Sequence, residues 1–258
     1  MLLYDYHTHT SRSDGKDTQL QMISEAKRLG LKEFGISDHL CLHHPKWSMN
    51  KQEAYQALDN LTEFKKNEQD IAIKVGLELD FIPGKESILE ELAAHPALDY
   101  VIGAVHYLGD WNFDTADKPN QRITREHYQQ YYDLVAEAAH SGIFDVIAHF
   151  DLIKKFNRLP VNLSDSAPLK ALDSIAKSGI AIELNTNGKN KPCKAFYPTA
   201  KFLQSARERN IPIQINSDAH NTRQIAQYGH EATRALKLAG YKTTVGFTQR
   251  QRYNLPLS

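Results

Sequence analysis

The sequence predicts an α/β barrel, and three observations favour that fold class. Short apolar runs alternate with longer amphipathic segments along the whole chain, a pattern typical of parallel strands joined by helices. The length of 258 residues suits one such barrel. Polar side chains follow nearly every apolar run, and the carboxyl ends of all strands face one mouth in a barrel but not in an open sheet. We therefore expect residues 1–258 to form a single domain with a site at that mouth.

Seven apolar runs have the character of strands that are covered on both faces. Each run is short, rich in Val and Ile, and apolar at consecutive positions. They cover residues 2–7, 33–39, 71–80, 100–106, 144–150, 180–185 and 211–220. We expect these runs to form the parallel strands of the barrel wall.

Amphipathic segments between these runs predict helices. In residues 18–30, apolar side chains recur at spacings of three from Leu20 to Leu29, and Gly30 follows as a residue suited to ending a helix. Similar patterns cover residues 126–142, 166–179 and 197–210. Each of these helices would cross back over the sheet and return the chain to the start of the next strand.

Two polar stretches interrupt the alternation of strands and helices. They cover residues 46–55 and 109–122, and we expect them to be long loops near the mouth of the barrel. Neither is a low-complexity linker, and the composition does not change sharply along the chain. The two stretches therefore favour loops within one domain over a boundary between two domains.

Charge and composition narrow the expected partners and compartment. Thirty-one basic residues balance thirty-one acidic ones, so no global field favours nucleic acid or acidic membranes. No apolar run approaches the roughly 20 residues of a membrane span, and the first residues do not resemble a signal peptide. Cys41 and Cys193 are too few for a disulfide framework. We expect a cytoplasmic protein that binds neither nucleic acid nor membrane.

Potential metal ligands are concentrated at the ends of the predicted strands. In chain order they are His7, His9, Asp38, His39, Glu78, His106, His149, Glu183, Asn185, Asp218 and His220. One histidine at a strand end is ordinarily a hydrogen-bonded polar residue, but six of the twelve histidines occupy such positions. Asp14 is ambiguous, because it also suits a turn that leads into a helix. The set as a whole favours a metal site.

The chemistry of this set indicates more than one metal ion. Imidazole and carboxylate ligands suit zinc, iron or manganese. One ion rarely needs more than three or four protein ligands, so the candidates imply two or three ions, with a carboxylate such as Glu78 bridging them. Closely spaced ions of this kind favour hydrolysis of phosphate esters, because they bind phosphate oxygens and lower the pKa of bound water.

Seven motifs at these strand ends resemble, in one order, those of the PHP (polymerase and histidinol phosphatase) superfamily. They are HTHT at 7–10, ISDH at 36–39, GLELD at 76–80, GAVH at 103–106, DVIAHFD at 145–151, ELNTNG at 183–188 and NSDAH at 216–220. The length and the segments LELDFIPGKES, VHYLGDWNFD and AHFDLIKKF are similar to the stand-alone histidinol-phosphate phosphatase branch. The resemblance implies a distorted (β/α)7 barrel with a trinuclear metal centre. It also implies hydrolysis of L-histidinol phosphate to L-histidinol and phosphate in histidine biosynthesis.

The resemblance also implies a ligand set for three divalent transition-metal ions, zinc, iron or manganese. The first ion would be held by His7, His9, Glu78 and Asp218. The second would be held by Glu78, His106 and His149, and the third by Asp14, His39 and His220. Asp38 would fix the imidazole of a ligand. Asp14 and His220 are in addition the two candidates for protonating the leaving alkoxide.

The resemblance further implies residues that bind the phosphate. Arg158 matches a phosphate-binding arginine of the branch, where a guanidinium grips two phosphate oxygens and stabilises charge in the transition state. A solvated surface charge is the alternative for Arg158. A second arginine of the branch is replaced here by Asn190, so Lys189 or Lys191 is expected to take its place. A lysine is a point charge, which does not reproduce the planar fork of an arginine.

Three further residues are candidates for binding the rest of the substrate. Glu183 and Asn185 could receive the amino group or imidazole of histidinol, and a purely structural role is an equal alternative. His43 could line the mouth of the barrel. The partner expected from all these residues is a small phosphate monoester.

Other functions are left open by the sequence. One is a PHP phosphoesterase of different specificity, either a sugar phosphatase or a nuclease, although a neutral chain without a basic aromatic stripe disfavours a nuclease. Another is an amidohydrolase barrel, which also opens with His-x-His but usually carries a bridging lysine where this chain has Glu78 and His106. The last is a non-catalytic PHP module that binds metal as a scaffold.

Overall fold

A computed structural model describes residues 2–115 and 122–257 of the chain. Seven parallel strands follow one another around a nearly closed barrel, in the order β1, β2, β4, β5, β8, β9, β10. Their bounds are Tyr4–Asp5, Glu33–Ile36, Ala72–Asp80, Tyr100–Ala104, Val146–Ile147, Ala181–Asn185 and Ile213–Asn216. All seven lie within the predicted runs, so the predicted α/β barrel of seven units is confirmed.

The first and last strands of the barrel approach each other just beyond their ends. Thr8 forms a parallel bridge with Ala219, and the amide of His9 donates a hydrogen bond of 2.8 Å to the carbonyl of Ala219. The amide of Tyr6 donates to Asn216 Oδ1 at 3.0 Å. These contacts bring the segment that follows β1 beside the segment that follows β10, so their side chains share one place at the mouth.

Seven α-helices occur in the described ranges. Their bounds, from α1 to α7, are Gln19–Arg28, Lys51–Asn67, Glu86–Ala93, Arg125–His140, Ser166–Ser178, Ala200–Glu208 and Gly229–Leu238. Four of them were predicted. In α1, however, Leu20 is exposed, while Met22, Ile23 and Ala26 are buried. Spacings of three drift around a helix of 3.6 residues per turn, so Leu20 and Leu29 cannot share a face.

A cluster of aromatic and small residues fills the interior of the barrel, and it is separate from the larger apolar core of the protein. Tyr100 is fully buried there, and its hydroxyl donates to the carbonyl of Tyr6. A Cβ at Gly76 would lie 2.3 Å from the Tyr100 ring, and one at Gly35 would lie 2.3 Å from its hydroxyl. Glycine is therefore required at both positions to leave room for Tyr100.

A C-terminal hairpin that the sequence patterns did not predict covers the amino ends of the strands. It pairs β11, Thr243–Thr248, with β12, Gln251–Pro256, in antiparallel register. Lys74 Nζ, near the start of β4, donates to Thr248 Oγ1 at 2.7 Å, and the Tyr4 hydroxyl donates to the Pro256 carbonyl at 3.2 Å. The hairpin closes this end of the barrel and leaves the carboxyl ends of the strands open.

The two stretches predicted as loops contain regular structure. Residues 51–55 belong to α2, because Asn50 caps that helix with a side chain that accepts from the Glu53 amide at 3.0 Å. In the second stretch, β7, Trp111–Asn112, pairs with β6, Tyr107–Leu108. Residues 116–121 of the predicted loop lie outside the described residues.

The helices were also compared with the length and apolarity that a membrane span requires. Within residues 2–115 and 122–257, no helix meets both requirements.

Candidate metal centre

Glu78 lies at the centre of the polar side chains that follow the strands. It belongs to β4 and is buried, with 1% of its surface exposed. Its Oε2 atom lies 3.0 Å from His7 Nε2 and 3.5 Å from His9 Nε2. Its other oxygen, Oε1, lies 3.2 Å from His149 Nε2 and 4.0 Å from His106 Nε2. Oε2 also lies 2.9 Å from His39 Nδ1. The two oxygens of one carboxylate therefore face two different groups of imidazoles, which is the arrangement of a bridging ligand.

His39 and His220 form a third group of side chains together with His9. His39 begins the short strand β3, His39–Leu40, which pairs with β4 so that His39 is opposite Glu78. The His39 and His9 rings stack at 4.2 Å between centroids. Atoms of His9, His39 and His220 lie close enough to one another to hold one ion. The predicted ligands of the third ion therefore converge, with His9 nearer to them than the sequence implied.

Asp14 joins this third group. Its Oδ2 lies 3.1 Å from His220 Nε2, and its Oδ1 lies 3.7 Å from His39 Nε2. The turn that carries it folds tightly on the end of β1, since a Cβ at Gly15 would lie 2.4 Å from the His9 carbonyl oxygen. Glycine at position 15 permits this close approach. The structure thus places Asp14 beside both imidazoles rather than in a turn directed to solvent.

Asp218 follows β10 and approaches the first pair of imidazoles from the adjacent strand end. Its Oδ1 lies 3.3 Å from His9 Nε2 and 3.9 Å from His7 Nε2. Two of these residues have unusual backbones: φ is +51° at Asp218 and +22° at His149. Backbone strain of this kind clusters at functional sites, where surrounding contacts hold it in place. The strain directs both side chains into the centre.

Several buried nitrogens at this centre have no hydrogen-bond partner. Such nitrogens show whether the residues fit a metal, because a bound ion would be the partner that they lack. Both ring nitrogens of His9, and Nδ1 of His39 and of His149, are buried without a hydrogen bond. His39 Nδ1 nevertheless lies 2.9 Å from Glu78 Oε2. Buried polar atoms are ordinarily paired, and two of these nitrogens, His9 Nε2 and His39 Nδ1, face carboxylate oxygens, which indicates a further partner between them. Imidazole and carboxylate ligands suit a divalent transition metal, so the residues fit one.

The buried groups of the centre strongly shift one another's pKa. Burial lowers the pKa of His9 to about 3, and the neighbouring His39 and His220 act in the same direction. Burial also disfavours a charged His39, but Glu78 and Asp14 outweigh it and raise the pKa of His39 to about 10. Burial would raise the pKa of Glu78, yet the surrounding imidazoles hold it well below its ordinary range. Glu78 is therefore ionised at neutral pH, as a metal ligand must be.

Two buried carboxylates contact the ring nitrogens of His7 and His106 that face away from Glu78. Glu183 Oε2 lies 2.9 Å from His7 Nδ1, and Asp80 Oδ1 lies 2.9 Å from His106 Nδ1. Such carboxylates fix the orientation of a ligand ring and raise its basicity. Asp38 was expected in this role, and that expectation is wrong. Its oxygens accept from the Thr10 amide and hydroxyl and from the Ser13 hydroxyl, so Asp38 anchors the turn before Asp14.

The surroundings of Glu183 do not leave it free for a substrate. It is 0% exposed, and its oxygens accept from the His149 amide at 2.9 Å and from the side-chain amides of Asn185 and Asn216, both at 2.8 Å. With His7, these donors occupy both carboxylate oxygens. The arrangement supports the structural alternative for Glu183 over contact with substrate.

We expect Glu183→Gln to weaken metal binding by about 10- to 100-fold, the usual effect of losing a group that orients a ligand. The amide has the size of the carboxylate but removes the charge that stabilises the His7 N–H. Competition for zinc with a chelator of known affinity measures the change. Glu231→Gln removes a carboxylate from an ion pair with Lys189 on the surface and is the control. Equal zinc affinity in both variants would contradict the role of Glu183.

A cavity of about 510 Å³ opens above the centre. Seven proposed ligands contribute to its lining: Asp14, His39, Glu78, His106, His149, Asp218 and His220. Its walls are formed by Trp47, Asn112, Asp114, Thr115, Leu152, Lys155, Phe156, Asn187, Lys191 and Tyr197. The volume lies in the range of small-molecule sites, and the mixture of aromatic and charged walls suits a small polar ligand.

The predicted phosphate-binding residues fall at different distances from this cavity. Lys191 lines it. Arg158 does not; its guanidinium lies over the Phe156 ring, 4.5 Å from the centroid. Lys189 pairs with Glu231 outside the lining. Lys191 is therefore the one of the three whose position suits contact with a ligand in the cavity.

The remaining candidates lie beside the cavity rather than in its wall. The side-chain amide of Asn185 donates to Glu183 and, at 3.2 Å, to Asp218 Oδ2. Asn185 therefore helps to fix the orientation of these two carboxylates. The ring of His43 stacks on Tyr107 at 4.2 Å and is not part of the lining. Asn190, at the position of the missing arginine, is bonded to Gln227 at 2.8 Å. None of these three side chains is placed to contact a ligand in the cavity directly.

Sequence reasoning missed Trp47, Asp114 and Lys155 as residues of the site. Trp47 packs edge-on to His39, 4.9 Å between centroids. All three lie in or after segments that were expected to be loops or strand ends, where the direction of a side chain depends on tertiary contacts. Position in a loop near the mouth was the only signal that could have suggested them.

Comparison with known proteins identifies relatives along nearly the whole chain. The family model for the PHP domain matches residues 5–187. A protein of Deinococcus radiodurans named a probable histidinol-phosphatase is 34% identical over 254 residues, 93% of this chain and 95% of that protein. A histidinol-phosphatase of Lactococcus lactis is 23% identical over 258 residues, 95% of this chain and 93% of that protein.

A solved structure shows the same fold. The crystal structure of histidinol phosphate phosphatase from Lactococcus lactis, complexed with zinc, L-histidinol and phosphate, superposes with a TM-score of 0.78 at 24% identity. The superposition covers 98% of this chain and all of that one. At this identity the likeness establishes the fold, a distorted barrel of seven strand–helix units.

Proposed function

The chain belongs to the PHP domain family, and from that premise we propose that it hydrolyses L-histidinol phosphate to L-histidinol and phosphate. The single observation that carries the proposal is Glu78, whose two oxygens face two groups of imidazoles on the floor of a cavity. The names of the relatives support the substrate. The reaction belongs to the biosynthesis of histidine, and two unpaired cysteines agree with the reducing cytoplasm in which we place it.

We propose that the centre holds three divalent ions, of zinc, iron or manganese. The first is assigned to His7, His9, Glu78 and Asp218, the second to Glu78, His106 and His149, and the third to Asp14, His39 and His220. Zinc in the Lactococcus lactis structure supports zinc as one of these metals. Ions in such a site bind phosphate oxygens, lower the pKa of water and stabilise the leaving oxygen.

The protein's own residues bind the ester and supply a proton. Lys191, in the cavity wall, places a positive charge beside the phosphate. Asp14 and His220 are in contact at 3.1 Å and are each partly exposed, so a proton on this pair is replaced readily from solvent. In our proposal the leaving alkoxide takes its proton from this pair when the third ion is absent. With that ion bound, both side chains would be deprotonated ligands, and the proton would come from solvent water. The buried carboxylates Glu183 and Asp80 keep the imidazoles in one orientation throughout.

Steady-state hydrolysis of three substrates tests this function. The metal-replete protein should have a kcat/KM for histidinol phosphate at least about 100-fold above that for 4-nitrophenyl phosphate, since binding of the rest of the substrate contributes to the transition state. An oligonucleotide should release no nucleotide at a comparable rate. Equal kcat/KM for both esters would overturn the specific substrate, and faster cleavage of the oligonucleotide would indicate a nuclease.

Lys191→Ala and Arg158→Ala separate the two candidate phosphate-binding cations. We expect the lysine variant to raise KM for histidinol phosphate about 10-fold, the effect of losing one charge-assisted hydrogen bond. We expect the arginine variant to change KM less than about twofold, because its guanidinium lies over Phe156 outside the cavity. The reverse order of the two KM values would restore the assignment made from the sequence.

A further inference from the structure

The walls of the cavity carry few charges once the proposed metal ligands are set aside. Among the described residues that line it, these charges are Asp114, Lys155 and Lys191. Asp114 is therefore the one carboxylate of the described lining that is outside the metal centre. A positively charged group of a bound ligand would find its ionic partner there.

Asp114 forms an ion pair with Lys155, which also lines the cavity. Lys155 Nζ lies 2.7 Å from each carboxylate oxygen of Asp114 and 3.2 Å from the Asp114 carbonyl oxygen. The side chains are 15% and 20% exposed, for Lys155 and Asp114 respectively. An ammonium has three N–H donors, so these contacts account for all the donors of Lys155.

The carboxylate keeps acceptor capacity despite this ion pair. Two carboxylate oxygens offer about four acceptor positions, and Lys155 occupies one on each oxygen. The amide of Asp114 donates to Asn112 Oδ1 at 2.9 Å, which fixes the backbone. A second cation can therefore share the Asp114 carboxylate with Lys155.

Asp114 is also close to the metal centre. The residue before it, Phe113, donates its amide to the carbonyl of His106 at 3.2 Å. His106 and Asp114 both line the cavity, so a ligand bound at the centre lies beside Asp114.

We propose that Asp114 determines specificity by binding the cationic amino group of the phosphate ester, and that Lys155 positions Asp114 for this contact. The inference rests on the proposed function and names the residue that selects its substrate. The phosphate lies at the metal centre and the ammonium meets Asp114, so the site matches an ester with opposite charges at its two ends. The same carboxylate disfavours esters that carry a second anionic group.

Two esters that differ only in the amino group provide the test. They are histidinol phosphate and 3-(imidazol-4-yl)propyl phosphate, and the readout is the ratio of their kcat/KM values. Wild-type protein should prefer the amino ester about 10- to 100-fold, and Asp114→Asn should reduce the ratio to near one. Lys155→Met should reduce it in part, because Asp114 is then less well fixed. Glu68→Gln removes a carboxylate from an ion pair with Lys27 far from the cavity and should keep the wild-type ratio.

The outcomes distinguish this inference from the proposed function. A ratio in Asp114→Asn equal to that of the wild type would overturn the inference, provided that circular dichroism shows a folded variant. A wild-type protein with no preference for histidinol phosphate over 4-nitrophenyl phosphate would overturn the proposed function alone. In that case, the pair phosphoethanolamine and ethyl phosphate tests Asp114, and equal ratios in wild type and Asp114→Asn would again reject its role.

Discussion

We expect Glu78→Gln to lower kcat/KM for histidinol phosphate by at least about 10³-fold, equivalent to about 4 kcal/mol of transition-state stabilisation. Glu78 is the side chain that contacts imidazoles on both sides of the centre. Glutamine has nearly the same shape but lacks the negative charge, and its amide nitrogen cannot bind a cation. One substitution therefore weakens two proposed metal sites at once.

Metal analysis by mass spectrometry accompanies the rates for Glu78→Gln. The variant should retain its fold, measured by circular dichroism, and should hold at least one ion fewer per chain than the wild type. Glu231→Gln, on the surface, should match the wild type in both measurements. A Glu78→Gln protein with full metal content and a rate within about tenfold of the wild type would show that Glu78 is not the bridging ligand.

Removal of the metals by chelation should lower Tm by roughly 8–16 °C and abolish hydrolysis. A ligand present at about 1,000 times its Kd stabilises the folded state by about 4 kcal/mol. Each kcal/mol shifts Tm by roughly 2–4 °C in a chain of about this size. Differential scanning calorimetry with and without chelator measures the shift, and added zinc should restore both Tm and rate.

The Glu78→Gln variant provides the control for the chelation experiment. It should show a much smaller fall in Tm on chelation, since its centre binds metal less well from the start. An equal fall in both proteins would indicate that the chelator acts elsewhere. An unchanged wild-type Tm would contradict a metal centre built from buried side chains.

The barrel and the convergence of the imidazoles were predictable from sequence, because both follow from periodicity. Consecutive apolar positions predict strands buried on both faces, and parallel strands in a barrel end at one mouth. His7 and His9 are a clear case: alternation along an extended chain places both rings on one face. The contacts of these rings with Glu78 and Asp218 agree with that expectation.

Other features depended on contacts that periodicity does not encode. Asp38 and Asp80 both stand close to ligand residues in the sequence, yet Asp80 holds an imidazole and Asp38 holds a turn. Lys155 and Arg158 are three residues apart after the same strand, yet only Lys155 lines the cavity. The conformation of the turn between them decides which side chain reaches it. The C-terminal hairpin has no helix between its two strands and so escaped a search for strand–helix units.

Zinc titration of the metal-free protein, followed by phosphate release from histidinol phosphate, tests the central claim most directly. We predict that the first equivalent of zinc gives little activity, because one ion cannot complete a centre that shares Glu78 between two ions. Activity should rise with the later equivalents and reach its maximum near three ions per chain. Full activity in the metal-free protein, or saturation at a single equivalent, would contradict a multinuclear phosphatase.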